Sequence, residues 1–162
     1  MAKLTIQGTD EYLKQLQTLG KDADGMIKRA VYEGAAVVLD AIEKSIESLP
    51  THDFVYVYND QDIRALTPAQ KQGLLDGLGA AKMRNDNGFI NTKVGFDGYN
   101  SVKTKKYPKG QPNSLIARAM ESGSSVRPKT RFVTNAVKPV VDRAEQAMAN
   151  SLDKDIKNAT GD

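Results

Sequence analysis

Between Asp22 and Leu49 apolar residues recur at Ile27, Val31, Ala35, Val38, Ile42, Ile46 and Leu49, at intervals of four and three that place them on one face of a 3.6-residue helix. Lys28, Asp40, Glu43, Lys44 and Glu47 fall on the other side. The predicted helix is therefore amphipathic, and its stripe must lie against another element. Ala30, Gly34 and Ala41 add a flank without bulk along which a second element can approach closely. Pro50 ends the helix, because proline lacks the amide donor and pushes Leu49 out of helical geometry. Burying the larger aliphatics contributes ~1.5 to 3 kcal/mol each before entropy, which makes this helix the predicted centre of the core.

The rest of the chain reads as what covers it. Lys3 to Gln7 alternates as a short strand. Asp10 then caps a short helix carrying Leu13, Leu16 and Leu19, with Gly20 as its terminating residue. Residues 51–66, with the strand-like run Phe54 to Tyr58 among polar residues, read as an insertion. Thr67-Pro68-Ala69-Gln70 has the cap, the first-turn proline and the reciprocal glutamine of a helix start, and that helix ends near Leu78-Gly79. Lys82 to Arg84, the turn Asn85 to Gly88 and Phe89 to Phe96 predict a β-hairpin with Ile90, Thr92, Val94 and Phe96 on one face. Residues 97–112 have no apolar period and predict a long exposed basic loop. Asn113 caps a helix ended by Gly123, and Thr130 caps a last helix with Phe132, Val133, Ala136, Val137, Val140, Ala144, Ala147, Met148 and Leu152 in its stripe. Pro139 should bend that helix, and the chain should fray from about residue 153. The predicted class is α+β: a small antiparallel sheet with a β-hairpin, packed against two long amphipathic helices plus shorter ones.

Composition narrows the picture. The 162 residues, 40% hydrophobic and 27% charged, suit a single domain with its own core. With no cysteine, disulfides, thiolate catalysis and cysteine-held zinc are excluded. Met1 to Ile6 lacks the apolar core of a secretory signal, and no run reaches the ~18 apolar residues of a membrane span; the expectation is a protein made in the cytoplasm with no membrane partner. Net charge is only +3 but uneven: residues 82–131 carry 11 basic and 3 acidic side chains, whereas residues 1–81 carry 8 and 12. Such polarity suits a polyanion or a charge-complementary protein surface, or simply a set of solvated loops.

No reaction centre stands out. The single histidine, His52, lies in a polar stretch without a nucleophile beside it. Asn59-Asp60-Gln61-Asp62 alternates like a calcium loop but lacks its glycine and distal glutamate. Gly73, Gly77 and Gly79 lack the preceding strand and the Lys-Ser/Thr pair of a phosphate loop. The expectation is a non-enzyme without metal or cofactor. Lys103-Thr104-Lys105-Lys106-Tyr107-Pro108-Lys109 interleaves cations with an aromatic, as nonspecific nucleic-acid binders do. Yet no helix gathers base-reading and basic side chains on one face.

One stretch resembles a known family. Ile116-Ala117-Arg118-Ala119-Met120-Glu121-Ser122-Gly123-Ser124 is similar to the pattern tyrosine, alanine, two variable residues, hydrophobic, glutamate, variable, glycine, threonine of phage tail-completion proteins. There the pattern is followed by a proline-containing loop and a phenylalanine that opens the last helix. The matching residues are Ala117, Glu121, Gly123, Ser124, Pro128, Phe132 and Ala136, and Gly73 to Leu78 resembles the family's glycine-leucine stretch ahead of its hairpin. The order of elements is similar as well. The resemblance implies a structural virion protein of long-tailed phages and prophages, a tail terminator acting as an oligomeric, commonly hexameric ring that completes the tail tube and forms the head-tail joining surface. It implies the tube protein and a head-closure or neck protein as partners, and a virion location after assembly in the host cytoplasm. A head-closure or other neck component, or a nonspecific DNA-binding protein, is the alternative. Tyr99, Val102, Lys103, Lys105, Lys106, Tyr107 and Lys109 are the candidate contacts with subunits, partners or DNA in the channel, the three apolar ones favouring a protein contact. Glu121 is either a charged helix end or the partner of Arg127 or Arg131.

Overall fold

The computed structural model describes residues 2–3, 20, 22–52, 55–58, 61–64 and 66–160. The chain is α+β. Its described elements are β1 (Ala2–Lys3), α1 (Ala23–Ser48), β2 (Val55–Tyr58), β3 (Gln61–Arg64), α2 (Pro68–Gly77), β4 (Leu78–Ala80), β5 (Arg84–Asp86), β6 (Phe89–Asn91), β7 (Lys93–Phe96), α3 (Asn113–Ser122), α4 (Phe132–Val137), a 3-10 turn (Lys138–Val140) and α5 (Val141–Thr160). The described strands form three small sheets, ordered β1-β7-β4, β2-β3 and β5-β6. The expected helix at Leu13 to Leu19 lies outside the described residues, as does most of the first strand.

The apolar stripe of α1 is buried as its spacing requires. Val31, Ala35, Val38, Ile42 and Ile46 are each at most 4% exposed. Ile27 sits at the edge of the stripe, and Met26 and Ala30 occupy the buried face in its place. The described chain divides into two compact units, each assembled from separated stretches: residues 1–39, 80–94 and 139–162 form one, and residues 40–79 and 95–138 the other.

In the first unit, Met26, Ala30 and Val31 of α1 cluster with Ile90 of β6 and with Met148 and Leu152 of α5. Gly34 is the point of closest approach. A Cβ built on it would stand 2.6 Å from Met148 Cγ and Sδ, which explains a glycine inside a long helix. The expected fraying after Leu152 does not occur: α5 continues to Thr160. Ile156 packs on the cluster, and Asp155 accepts a 2.7 Å bond from Arg29 Nε. Asp155, and after it Asp22, hold the Arg29 guanidinium above its ordinary range. The β-hairpin turns at Asn87-Gly88 as its pattern predicts, and its first strand runs over Arg84–Asp86 rather than ending at Arg84. Asn87 and Gly88 take φ of 57° and 89°, the positive values that a tight hairpin turn demands, and Asp86 faces Phe89 across it. The predicted single strand Phe89 to Phe96 is two strands. They part at Thr92, whose hydroxyl donates to Ala81 O at 2.6 Å, so β6 pairs with β5 while β7 pairs with β1.

In the second unit, α2 packs on α3. The capping box at its start is present in full: Gln70 N donates to Thr67 Oγ1 and Thr67 N to Gln70 Oε1, both at 3.2 Å. Lys71 Nζ donates to Glu47 O at 2.6 Å and Leu49 O at 2.9 Å, placing a cation on the free carbonyls at the end of α1. Residues 55–64 include the ribbon β2-β3, and His52 N donates to Leu66 O at 2.9 Å at its base. The last helix, predicted as one element bent at Pro139, is instead two, α4 and α5, parted by the 3-10 turn Lys138–Val140, where proline's missing amide breaks the α ladder.

Candidate functional site

Residues 97–112 are the exposed basic loop that their sequence predicts, with an order that the sequence does not. They form a finger closed by its own backbone. Asn113 N donates to Gly98 O at 3.0 Å, Asn100 N to Gln111 O at 2.9 Å, and Gln111 N to Val102 O at 3.0 Å. At the tip, Thr104 and Tyr107 exchange N–H···O bonds of 3.1 Å in both directions, so that Lys105 and Lys106 alone make the turn. The base is held by two buried amides. Asn100 Oδ1 accepts from Val102 N at 3.0 Å and Asn113 Nδ2 donates to Asp97 O at 2.8 Å, and their side chains meet over Gly73 of α2, where a Cβ would stand 2.5 Å from Asn100 Cβ and 2.6 Å from Asn113 Oδ1. The sequence predicts Asn113 as a cap. It is instead the first helical residue of α3, with Pro112 before it.

This scaffold sorts the predicted contact residues. Lys103, Lys105, Lys106 and Lys109 are exposed, Val102 and Tyr107 are half-buried, and Tyr99 is 68% exposed. Lys106 Nζ lies 5.6 Å from the centre of the Tyr107 ring, a cation-π arrangement at the tip. Tyr99 pairs through its backbone with Pro112, and Leu115, one helical turn on, is 39% exposed. The finger thus offers four cations on a braced backbone, with an exposed aromatic at its root.

The second predicted group, Ala117 to Ala136, forms a joint between α3 and α4. The Glu121 carboxylate accepts from Val133 N at 2.8 Å, from Thr134 N at 3.1 Å and from the Thr134 hydroxyl. It therefore caps the amino terminus of α4, where orphan N–H groups and the helix dipole favour a negative charge. This differs from both sequence-based readings of Glu121. The reciprocal bonds run from Thr130 N and Oγ1 to Met120 O at 2.9 and 2.7 Å and from Arg131 N to Glu121 O at 3.2 Å, satisfying the end of α3. Thr130 thus serves the preceding helix, and Arg131, at φ 54°, stands in the cap position of α4. Gly123 lets the chain turn between them: its φ is 78°, and a Cβ there would stand 3.1 Å from Lys129 N. Ser124 and Arg127 exchange backbone bonds in the connecting loop. Ala117 and Phe132 are buried, and Phe132 packs tilted on Phe96 at 6.0 Å. Ala136 is half-buried and Pro128 exposed.

Sequence reasoning missed a buried polar cluster beside the joint. Arg127, 8% exposed, donates to Gln70 Oε1 at 2.9 Å, and Gln70 Nε2 donates to Gln111 Oε1 at 2.7 Å. This ties α2, the finger and the 123–131 loop together. The one available signal was the capping-box glutamine, whose oxygen serves two partners. Among the described residues no group of three or more His, Asp or Glu side chains could hold a metal ion, and no helix is long and apolar enough to cross a membrane. No protein-family model, curated protein or solved structure matches the chain.

Proposed function

We propose that this chain is a non-enzymatic structural protein of the phage tail-completion kind, assembling as a ring that ends a tail tube and presents a joining surface to the head. The observation that carries the reading is the α3-α4 joint. The positions shared with the family pattern, Glu121 and Gly123, act here through geometry: one caps a helix and the other allows a turn that a side chain would obstruct. Residues that act through shape alone are what an assembly protein needs. The braced basic finger supports the same reading, since a contact surface that is already folded loses less entropy on association than a mobile loop.

Native mass spectrometry of the purified protein, together with protein identification in particles of the phage or prophage that encodes it, tests the proposal. A discrete oligomer and a few copies per particle are expected. A strict monomer missing from particles overturns it. The finger also favours one second reading, nonspecific binding to the phosphate backbone of DNA, because four exposed lysines on a single projection neutralise phosphate whatever the base sequence. Tight, salt-sensitive binding of free duplex DNA by a monomer would select that reading.

A further inference from the structure

The finger has a charge complement on its own chain. On the last turns of α1, within the same compact unit, Asp40, Glu43 and Glu47 are exposed. Lys44 pairs with Asp40 at 2.8 Å, and the ammonium of Lys71 is directed to backbone carbonyls at the end of the helix. Glu43 and Glu47 are therefore left as like charges four residues apart, an arrangement that mildly destabilises a helix unless a cation joins it. The ion pairs among the described residues, Arg29 with Asp22 and Asp155 and Lys44 with Asp40, include none between a lysine of the finger and a carboxylate of α1. Both patches face solvent, with opposite sign.

We propose that the basic finger of one copy docks on the acidic end of α1 of a second copy, Lys105 and Lys106 at the tip lying against Glu43 and Glu47. This rests on the assembly reading above and names its contact. The two patches are different surfaces of one subunit, so the contact is head-to-tail: each copy donates a finger and receives one, which builds a closed ring when the rotation between copies closes. The braced backbone fits the role. Two lysines held in a two-residue turn present their charges together, and Tyr99 at the root, 68% exposed, supplies the apolar and aromatic area that interface centres favour. Electrostatic steering of the finger to the helix would set the encounter rate and the register.

A charge-exchange experiment tests the contact by native mass spectrometry and analytical ultracentrifugation at low and high salt. Lys105→Glu with Lys106→Glu should weaken self-association at least about tenfold, and so should Glu43→Lys with Glu47→Lys. The four changes in one chain, or the two doubly substituted chains mixed, should recover the assembly. Circular dichroism of each variant shows that a loss is not unfolding, since all four side chains are on the surface. An oligomer whose association ignores both pairs of substitutions overturns the contact and leaves the assembly reading standing. A wild-type monomer at every concentration overturns both. Loss of duplex-DNA binding with the lysine changes, with no effect of the glutamate changes on self-association, also overturns the contact and gives the finger to phosphate.

Discussion

The two compact units are held by different means. The first is an apolar contact: Met26, Ala30 and Val31 of one helix meet Met148 and Leu152 of another across Gly34, with Ile90 of the hairpin on top. The second buries apolar residues too, Leu74 and Phe132 among them, but its connections are polar. Asn100 and Asn113 hold the finger, Gln70 and Arg127 join loop to helix, and Glu121 caps a helix twelve residues further along the chain. An apolar contact tolerates adjustment because methyl groups can slide, whereas a hydrogen-bonded amide has one workable position. Long polar connections in the second unit can therefore be fixed without regular secondary structure.

Substitutions can break this comparison. Val38→Asp places a carboxylate where the side chain is 2% exposed; a loss of about 4 kcal/mol or more is expected, read as the disappearance of soluble folded protein. Lys44→Ala, on the opposite face, should change stability by no more than ~0.5 kcal/mol; equal losses would mean that the helix faces are misassigned. Met148→Ala in the first unit should cost ~2 to 5 kcal/mol by urea unfolding, through the cavity it leaves. Asn113→Ala in the second should cost ~1 to 3 kcal/mol, by stranding the Asp97 carbonyl, with the loss of amide-exchange protection centred on the finger.

A matched pair of glycine substitutions sharpens the contrast. Gly34→Ala and Gly73→Ala both lie within helices, so both gain the same ~1 kcal/mol of helix propensity. The first meets the Met148 side chain, which can shift, and the Ala144 carbonyl only at 3.3 Å; the second meets Asn100 Cβ at 2.5 Å and Asn113 Oδ1 at 2.6 Å, on side chains held by bonds to Val102 N and Asp97 O. Gly73→Ala should therefore be the less stable of the two by ~1 to 3 kcal/mol. Glu121→Ala should cost ~0.5 to 2 kcal/mol, with Glu121→Gln between it and the wild type because one acceptor oxygen is kept. Faster amide exchange at Val133 and Thr134 would show that the cap is what was lost.

The contrast also explains what could be read in advance. The α1 stripe, the Thr67-Gln70 box, the Asn87-Gly88 turn and a disturbance at Pro139 depend on neighbours within a few residues and are legible as spacing or local chemistry, although Pro139 reads as a bend and is a break. The hairpin's second strand reads as one because the alternation Ile90, Thr92, Val94, Phe96 continues through Thr92, where the chain passes from one sheet to another. The finger reads as an exposed basic loop, which its lysines are, but its internal bracing is hidden for a different reason. Its stretch has no apolar period to read, and the asparagines that brace it, Asn100 and Asn113, carry none either. Glu121 was recognised as a motif residue, but the helix it caps begins after a loop whose path no local rule supplies. Fold class was thus visible from the first unit's kind of contact, while the geometry of the candidate site was written in the second unit's kind.

The finger's two-residue tip carries a practical consequence for lengthening the chain. Its bracing bonds begin at Thr104 and Tyr107 and run away from the tip, so extra residues inserted between Lys105 and Lys106 would leave those partners where they are. Enlarging a closed loop is inexpensive, roughly 0.6 kcal/mol for each doubling of its length, and exposed tips are where inserted sequence is best tolerated. A short peptide inserted there would leave the subunit folded while parting the two lysines proposed to meet Glu43 and Glu47, so tagged copies that stay folded but no longer associate are expected.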